Sequence, residues 1–524
     1  MMRYRLLAVL AFVFSLALGP DVRALPSTSV ADAPFLSNEA THTGVWYEIF
    51  VRAWYDTNGD GIGDLNGVTA KLDYLQSLGV NGIWLMPINA SPSYHGYDVT
   101  DYKAINPQYG TMQDFERLVA EAHKRGIKVI IDLVINHTSD KHPWFVSALD
   151  PHSSYRGWYT WAGPTTDTKA LSATDSPAWH TRDGQTFLGD FSAGMPDLNY
   201  DDPDVRHEMV KIGQFWLAKG VDGFRLDAAR HIYDDLKTDT GKPETTRKNV
   251  VWWSEFRQGL QTVNPDVYLV GEVTMPSPDL LAPYLKPLGS VFNFPLAEQM
   301  IQSAQSEQAT PLNALLTSTY AAFHKAAGSD FIDAPFLSNH DQERVFSRLD
   351  GNVDHMRVAA AMLLTLPGRP FLYYGEELGV LGRKPDQNLR EPMRWERDPD
   401  VITESRWKPI TSGQGGEVSV QAEQPDPHSL LNTYRALIHW RSQEPLLRDG
   451  DIRVVSLQNA HVVAYERFIG EHRVLVLHNL SGQPQSVKLK RKDGYQRVEL
   501  QTGNDATYVD GELDLPPYVS VVMQ

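Results

Sequence analysis

From residue 45 to residue 378 the chain alternates between two patterns. Short unbroken apolar or β-branched runs recur at 45–51 (VWYEIFV), 80–88 (VNGIWLMPI), 127–135 (IKVIIDLVI), 221–229 (VDGFRLDAA), 267–273 (VYLVGEV), 291–296 (VFNFPL), 333–341 (DAPFLSNHD) and 369–378 (RPFLYYGEEL). Unbroken rather than alternating polarity marks strands covered on both faces, as in a parallel sheet. Helical patterns separate the runs. In TMQDFERLVAEAHKRG (111–126), Thr111 can cap the start with Asp114 three residues on, and Phe115, Leu118, Val119 and Ala122 share a face. Gly126 then ends the helix. Eight strands separated by helices is the count of an α/β (β/α)8 barrel. A doubly wound open sheet has the same local pattern.

Two segments break the rhythm. Residues 138–204, after the third strand, are rich in Asp, Ser, Trp, His and Pro without helical period, as expected of an inserted domain. After about residue 435, short runs such as IRVVSL, HVVAYERF, HRVLVLHNL, SVKLKR, YQRVEL and YVSVVM predict an antiparallel β-sandwich. The expected layout is a barrel over 25–137 and 205–435, an insert over 138–204 and a C-terminal sandwich over 436–524.

The first residues change the picture of where the protein acts. MMRYR precedes the apolar run LLAVLAFVFSLALG, and VRA, ending at Ala24, has the small–x–small form of a signal-peptidase site. This predicts a signal peptide over 1–24 and an exported protein, secreted or periplasmic, with no membrane attachment after cleavage; a retained anchor is the alternative. The chain has no cysteine, so disulfides contribute nothing to its stability. A net charge of −17 with no Lys/Arg run repels phosphate backbones and argues against a nucleic-acid partner. The chain has 13 Trp, 22 Tyr and 19 Phe, most of which core packing must use, while a sugar cleft would use a few.

Barrel chemistry sits at the C-terminal ends of the strands. There the third strand carries Asp132, Asn136 and His137, and the fourth Arg225, Asp227, Arg230 and His231. The fifth carries Glu272 and the seventh His340 and Asp341. Each alone could cap a helix or join an ion pair, but gathering several carboxylates is costly without a use. Glycoside hydrolysis needs two carboxyls in different protonation states. Arg225, two residues before Asp227 on the same strand face, is expected to keep Asp227 ionised and lower its pKa. Glu272 has no cation adjacent in sequence, and burial would raise its pKa, as suits a general acid. The stretch DTNGDGIGD (56–64) sets oxygen-bearing side chains among glycines. It matches an EF-hand up to its ninth position and then fails, with Gly67 in place of the bidentate Glu. A calcium loop of another kind and a polar turn both remain open.

These segments together resemble the α-amylase family of glycoside hydrolases. DLVINH, GFRLDAARH, GEVT and FLSNHD are similar, in order, to that family's four signature regions, and MPDLN (195–199) to a fifth. The resemblance covers residues 44–524. It implies a (β/α)8 barrel and a retaining mechanism on α-glucosidic bonds, with Asp227 as nucleophile, Glu272 as acid/base and Asp341 as the third carboxylate. It further implies that His95, Tyr97, Asp98, His137, Arg225, Arg230, His231 and His340 bind substrate. Asp56, Asn58, Asp60, Asp64 and the Ile62 carbonyl would hold a structural calcium ion. Asn136, Asp197 and the His231 carbonyl would form a second calcium site.

The loop NGDGIGDLNG and REPMRWE (390–396) resemble oligosaccharide-acting α-glucosidases, whereas SYHGY is more similar to endo-acting α-amylases. MPDLN resembles a group intermediate between oligo-1,6-glucosidases and neopullulanases. The expected activity is endo-hydrolysis of α-1,4 bonds in starch and maltooligosaccharides, so the partner is an α-glucan. The alternatives are an α-glucosidase, maltogenic amylase or transglycosylase on short glucans and, from another class, a non-catalytic transporter-associated barrel.

Overall fold

The computed structural model describes residues 44–524 apart from 234–235, 399–400, 412–415 and 491–493. The expected signal peptide lies outside the described residues. Seven parallel strands form the main sheet: β1 (Trp46–Ile49), β2 (Gly82–Leu85), β3 (Lys128–Leu133), β4 (Gly223–Leu226), β5 (Tyr268–Gly271), β6 (Gly289–Val291) and β7 (Phe371–Tyr373). Their order is β6-β5-β4-β3-β2-β1-β7. Parallel bridges Phe292↔Ala334 and Phe336↔Phe371 close the ring, so the sheet is a barrel and not an open doubly wound sheet.

The sixth and seventh runs depart from expectation. Only the first residue of the expected 291–296 strand is strand, because Pro295 enters the first turn of helix Phe294–Ser306, capped where Asn293 Oδ1 accepts from the Leu296 N–H. The seventh run contributes two bridges rather than a strand; Pro335, without an N–H, cannot join a continuous ladder.

Period-two alternation decides which side chains enter the barrel. Trp46, Trp84, Ile130, Val270, Phe292, Phe336 and Phe371 fill the interior as one apolar cluster. Large rings fit because glycines face them. A Cβ on Gly82 would lie 2.4 Å from the Trp46 indole, and one on Gly223 would lie 1.8 Å from the Tyr268 carbonyl. One step further along each strand, on the same face, the apolar layer gives way to charge. Trp46 is followed by Glu48, Ile130 by Asp132 and Val270 by Glu272, while Arg225 precedes Asp227. The outward residues pack beneath helices. Met112–Lys124 has the expected capping box between Thr111 and Asp114, and Phe115, Leu118, Val119 and Ala122 are buried.

After β3 the chain forms a short helix (Pro143–Ala148) and a hairpin, Trp179–Arg182 with Gln185–Leu188. Helical structure runs on through Leu430–Gln443 and Pro445–Asp449, so the change to strands comes at Asp451 rather than 436. A five-stranded antiparallel sheet and a three-stranded sheet follow. They enclose Val462, Ala464, Leu475, Leu477, Val487, Leu513, Leu515 and Val521. The hairpin Thr507–Val509/Glu512–Leu515 was absent from the expected strands. Its signal was Asp510-Gly511, both at positive φ (52° and 89°), the two-residue turn that matches strand twist.

Candidate active site

One guanidinium organises the rim. Arg225 Nη1 donates to Asp132 Oδ1 (2.9 Å) and Asp227 Oδ1 (2.6 Å), and Nη2 pairs with Glu272 Oε2 (2.7 Å). Glu272, with no cation adjacent in sequence, meets one in space because β4 and β5 are neighbours. Arg225 lies over Trp84, 5.1 Å from the ring centre. Glu272 Oε2 also accepts from the Ala228 N–H at 3.0 Å. Ala228, directly after Asp227, is held at φ 46°, a left-handed conformation that costs a non-glycine residue and clusters at functional sites.

A second group flanks this one. The Tyr97 hydroxyl meets Asp132 Oδ2 (2.9 Å) and His340 Nε2 (2.6 Å), and its ring stacks on His340 with planes 10° apart. His340 Nδ1 pairs with Glu48 Oε1 (2.6 Å) and Nε2 with Asp341 Oδ2 (3.1 Å). Arg390 Nη2 holds Asp341 Oδ1 at 2.7 Å, and its Nε donates to the His340 carbonyl. The acids at 227, 272 and 341 thus gather on one rim.

The electrostatics differ from expectation at Asp227. Burial, with Asp341 adding, raises its pKa against the Arg225 guanidinium. Burial, against Arg225 and with Asp227 and Asp341 adding, also raises Glu272. Burial pushes Asp132 up to about 7 despite Arg225. For Asp341 burial is outweighed, and His340 and Arg390 hold the carboxyl well below the ordinary range. For His340 the desolvation penalty is overcome by Asp341 and Glu48, which raise it to about 9. Carboxylates here outnumber Arg225, His340 and Arg390, so at least one carboxyl readily keeps a proton.

The other candidates surround this centre. His95 stacks on Tyr97 with planes 20° apart, and its Nδ1 accepts from the Tyr97 N–H. Asp98 accepts from Ser91 Oγ (2.6 Å) and from Ser93. Burial lowers His137 to about 4, and its ring nitrogens lie against the Tyr97 carbonyl and Asn136 Oδ1. Arg230 Nη1 donates to the Thr274 carbonyl (2.7 Å), and His231 Nδ1 pairs with Asp190 Oδ2 (2.6 Å). Sequence reasoning missed Glu48, Arg390 and Asp190. Glu48 had a signal, a charged residue inside an otherwise apolar run; Arg390 had only the REPMRWE motif.

The two expected cation loops differ. In 56–64 the side chains serve the loop itself. Asp56 accepts from the N–H groups of Asn58, Gly59 and Gly61, Asp60 from Ile62, and Asp64 from Gly67, capping helix Leu65–Ala70. The donors are hard oxygens, but among the described residues no three His, Cys, Asp or Glu side chains are gathered for a metal ion. At the second site Asn136 Nδ2 reaches the His231 carbonyl at 2.9 Å, and Asp197 pairs across a bridge to His137. Asp197 and Asp190 are buried together, and each leaves its Oδ1 without a hydrogen-bond partner. Two adjacent buried carboxylates with orphaned oxygens, beside an amide and a carbonyl, fit a hard cation.

The profile "Alpha amylase, catalytic domain" matches residues 48–450, and "Alpha-amylase SusG C-terminal domain" matches 462–522. "Alpha-amylase 3" of Dictyoglomus thermophilum is 43% identical over 83% of this chain and 84% of its own. "Oligo-1,6-glucosidase" of Parageobacillus thermoglucosidasius is 31% identical over 88% of this chain and 94% of its own. The crystal structure of an alpha-amylase from H. orenii superposes with a TM-score of 0.85 at 44% identity, covering 92% of this chain and 99% of that one.

Proposed function

The chain belongs to the alpha-amylase family of glycoside hydrolases, and from that premise we propose that it is an exported α-amylase that cleaves internal α-1,4 bonds of starch and maltooligosaccharides with retention of configuration. The observation that carries the mechanism is the sharing of Arg225 by Asp227 and Glu272. Two carboxyls on one planar fork suit the separation of about 5–5.5 Å that a covalent glycosyl intermediate needs, rather than the wider gap that admits a water.

In this reading Asp227 attacks the anomeric carbon through the oxygen not engaged by Arg225, and Glu272 gives its proton to the departing glycosidic oxygen. Glu272 then takes a proton from the water that hydrolyses the glucosyl–Asp227 ester. Asp341, kept anionic by His340 and Arg390, accepts from hydroxyls of the same sugar, and Tyr97 supplies an aromatic face. Chromatography of early products from amylose tests the reading. A spread of maltooligosaccharides is expected; glucose as the sole early product would favour α-glucosidase action instead.

A structural calcium ion belongs to the same proposal at Asn136, Asp190, Asp197 and the His231 carbonyl, where it would neutralise two buried carboxylates. For the loop at Asp56, Asn58, Asp60, Ile62 and Asp64, calcium rests on donor chemistry alone. Export rests on the pattern of residues 1–24 and is tested by N-terminal sequencing of protein recovered outside the cytoplasm. MPDLN supports placement in the intermediate group.

A further inference from the structure

The carboxyl of Glu272 is held by one of its two oxygens. Oε2 meets Arg225 Nη2 at 2.7 Å and accepts from the Ala228 N–H at 3.0 Å. An oxygen that bears the proton has less acceptor capacity than a bare one. Two donors on Oε2 therefore leave Oε1 as the oxygen that carries the proton.

The direction of the Ala228 N–H is set by a turn over residues 228–231. The His231 N–H donates to the Ala228 carbonyl at 2.8 Å, and the Ala229 N–H donates to the Glu272 carbonyl at 3.0 Å. Ala228 enters this turn at φ 46°, and a left-handed non-glycine residue persists only where its surroundings over-determine it. Those surroundings include helix Pro243–Gln261. From it, Trp253 Nε1 donates to the Ala229 carbonyl (2.7 Å), and Asn249 Nδ2 donates to the Arg230 carbonyl (2.5 Å). Asn249 Oδ1 also accepts from the Tyr233 N–H at 3.1 Å. The two side chains are one helical turn apart on the same face, and both are fully buried. Burial alone does not account for such bonds. The neighbouring Trp252, also buried, leaves its Nε1 without a hydrogen-bond partner among the described residues.

We propose that Trp253 and Asn249 are positioning residues for the acid/base: they lock the turn after Asp227 so that the Ala228 N–H, with Arg225, pins Glu272 Oε2 and keeps Oε1 as the oxygen that gives and regains the proton. The inference rests on the roles given to Asp227 and Glu272 above. Both residues act through the main chain rather than on the sugar. As the bond from C1 to the leaving oxygen breaks, that oxygen takes the Oε1 proton while Asp227 bonds to C1. Water then displaces Asp227 from C1 and returns a proton to Oε1.

The test is Trp253→Phe, which removes the indole N–H and keeps an aromatic ring, read as kcat/KM on two substrates. Maltopentaose has a leaving sugar that must be protonated, whereas α-maltosyl fluoride releases fluoride with little help from an acid. For maltopentaose kcat/KM should fall about tenfold, and for the fluoride by less than about twofold. Burial raises the Glu272 carboxyl against Arg225, Asp227 and Asp341 add to the rise, and the Ala228 N–H opposes it. Loosening that N–H should move the alkaline limb of the maltopentaose profile to higher pH. Glycine takes a positive φ without strain, so adding Ala228→Gly to Trp253→Phe should restore most of the loss. A merely structural defect would neither spare the fluoride nor yield to that second change. Where circular dichroism shows Trp253→Phe to be misfolded, Asn249→Ser carries the same comparison. Equal losses on both substrates, an unmoved alkaline limb, or no recovery with Ala228→Gly would overturn the positioning role. Full activity of Glu272→Gln on maltopentaose would instead overturn the acid/base reading itself, a result that needs no change in the helix.

Discussion

At the scale of single residues, the site works by dividing charge. Arg225 cannot favour one carboxylate because Asp132, Asp227 and Glu272 all reach it. Asp227→Ala is expected to abolish turnover while the circular dichroism spectrum is retained, since no other group occupies the nucleophile's position. Glu48 acts through His340. The histidine is raised to about 9, above its ordinary 6.5, so its contribution to stability is complete below 6.5 and fades as pH climbs through 9. Replacing Glu48 by Gln removes one of the two anions that hold the proton there. The alkaline limb of the kcat/KM profile should move to lower pH; an unmoved limb would mean that the charge on His340 does not matter. Asp333 has the same sign of pH dependence in a more acidic window, but there the neutral form is the one that folding favours. Burial pushes its carboxyl up to about 7 against the hydrogen bonds from Tyr320 and Asn293, so ionising it costs folded-state stability that is lost progressively from pH 4 to 7 and no further above. Asp333→Asn should therefore gain in Tm relative to the parent across that window and level off beyond it; a difference independent of pH would refute the assignment.

At the scale of elements, much was legible because local rules agreed with one another. The helix after β2 was readable to its cap, since Thr111 and Asp114 satisfy orphan N–H groups by local contacts alone. The terminal hairpin was missed because short polar strands carry little periodic signal, although Asp510-Gly511 marked its turn. The seventh barrel stave was placed correctly but reduced to bridges by a proline. Size alternation inside the barrel was not visible in the sequence, because Gly82 makes room for Trp46 on a neighbouring strand, and Gly223 lies against the Tyr268 main chain on another. Gly223→Ala drives a methyl into main-chain atoms that cannot swing aside. A loss on the order of 3 kcal/mol or more is expected from denaturant unfolding, with Gly220→Ala, at a positive-φ helix end, showing a smaller loss.

At the scale of the molecule, the C-terminal strands are joined to the barrel through buried polar contacts. The Tyr465 hydroxyl meets Thr365 Oγ1 (2.6 Å), Arg467 Nη1 donates to the Thr365 carbonyl, and the Tyr518 hydroxyl donates to Glu307. Breaking such an interface strands buried donors and acceptors, so calorimetry should record barrel and sandwich melting as one transition. A cation between Asp190 and Asp197 would tighten the insert against the barrel. Chelation by EDTA should lower Tm, with recovery on adding Ca2+ in preference to Mg2+. An unchanged Tm, with no calcium retained after dialysis, would discard the metal proposal.

The sequence by itself determined the order of strands and helices and the apolar interior, which follow from periodicity, and set candidate acids at the strand ends where a barrel exposes side chains; the choice of 227, 272 and 341 among them is what the family resemblance implies. Only the tertiary structure decided how charge is shared among them, because which carboxyl a guanidinium serves depends on strands that neighbour one another in the sheet and not in the chain. Barrel closure likewise brought Glu48 beneath His340 and Arg390 against Asp341 across separations of 292 and 49 residues. No local pattern encodes such pairs, since their energy exists only once the ring has closed.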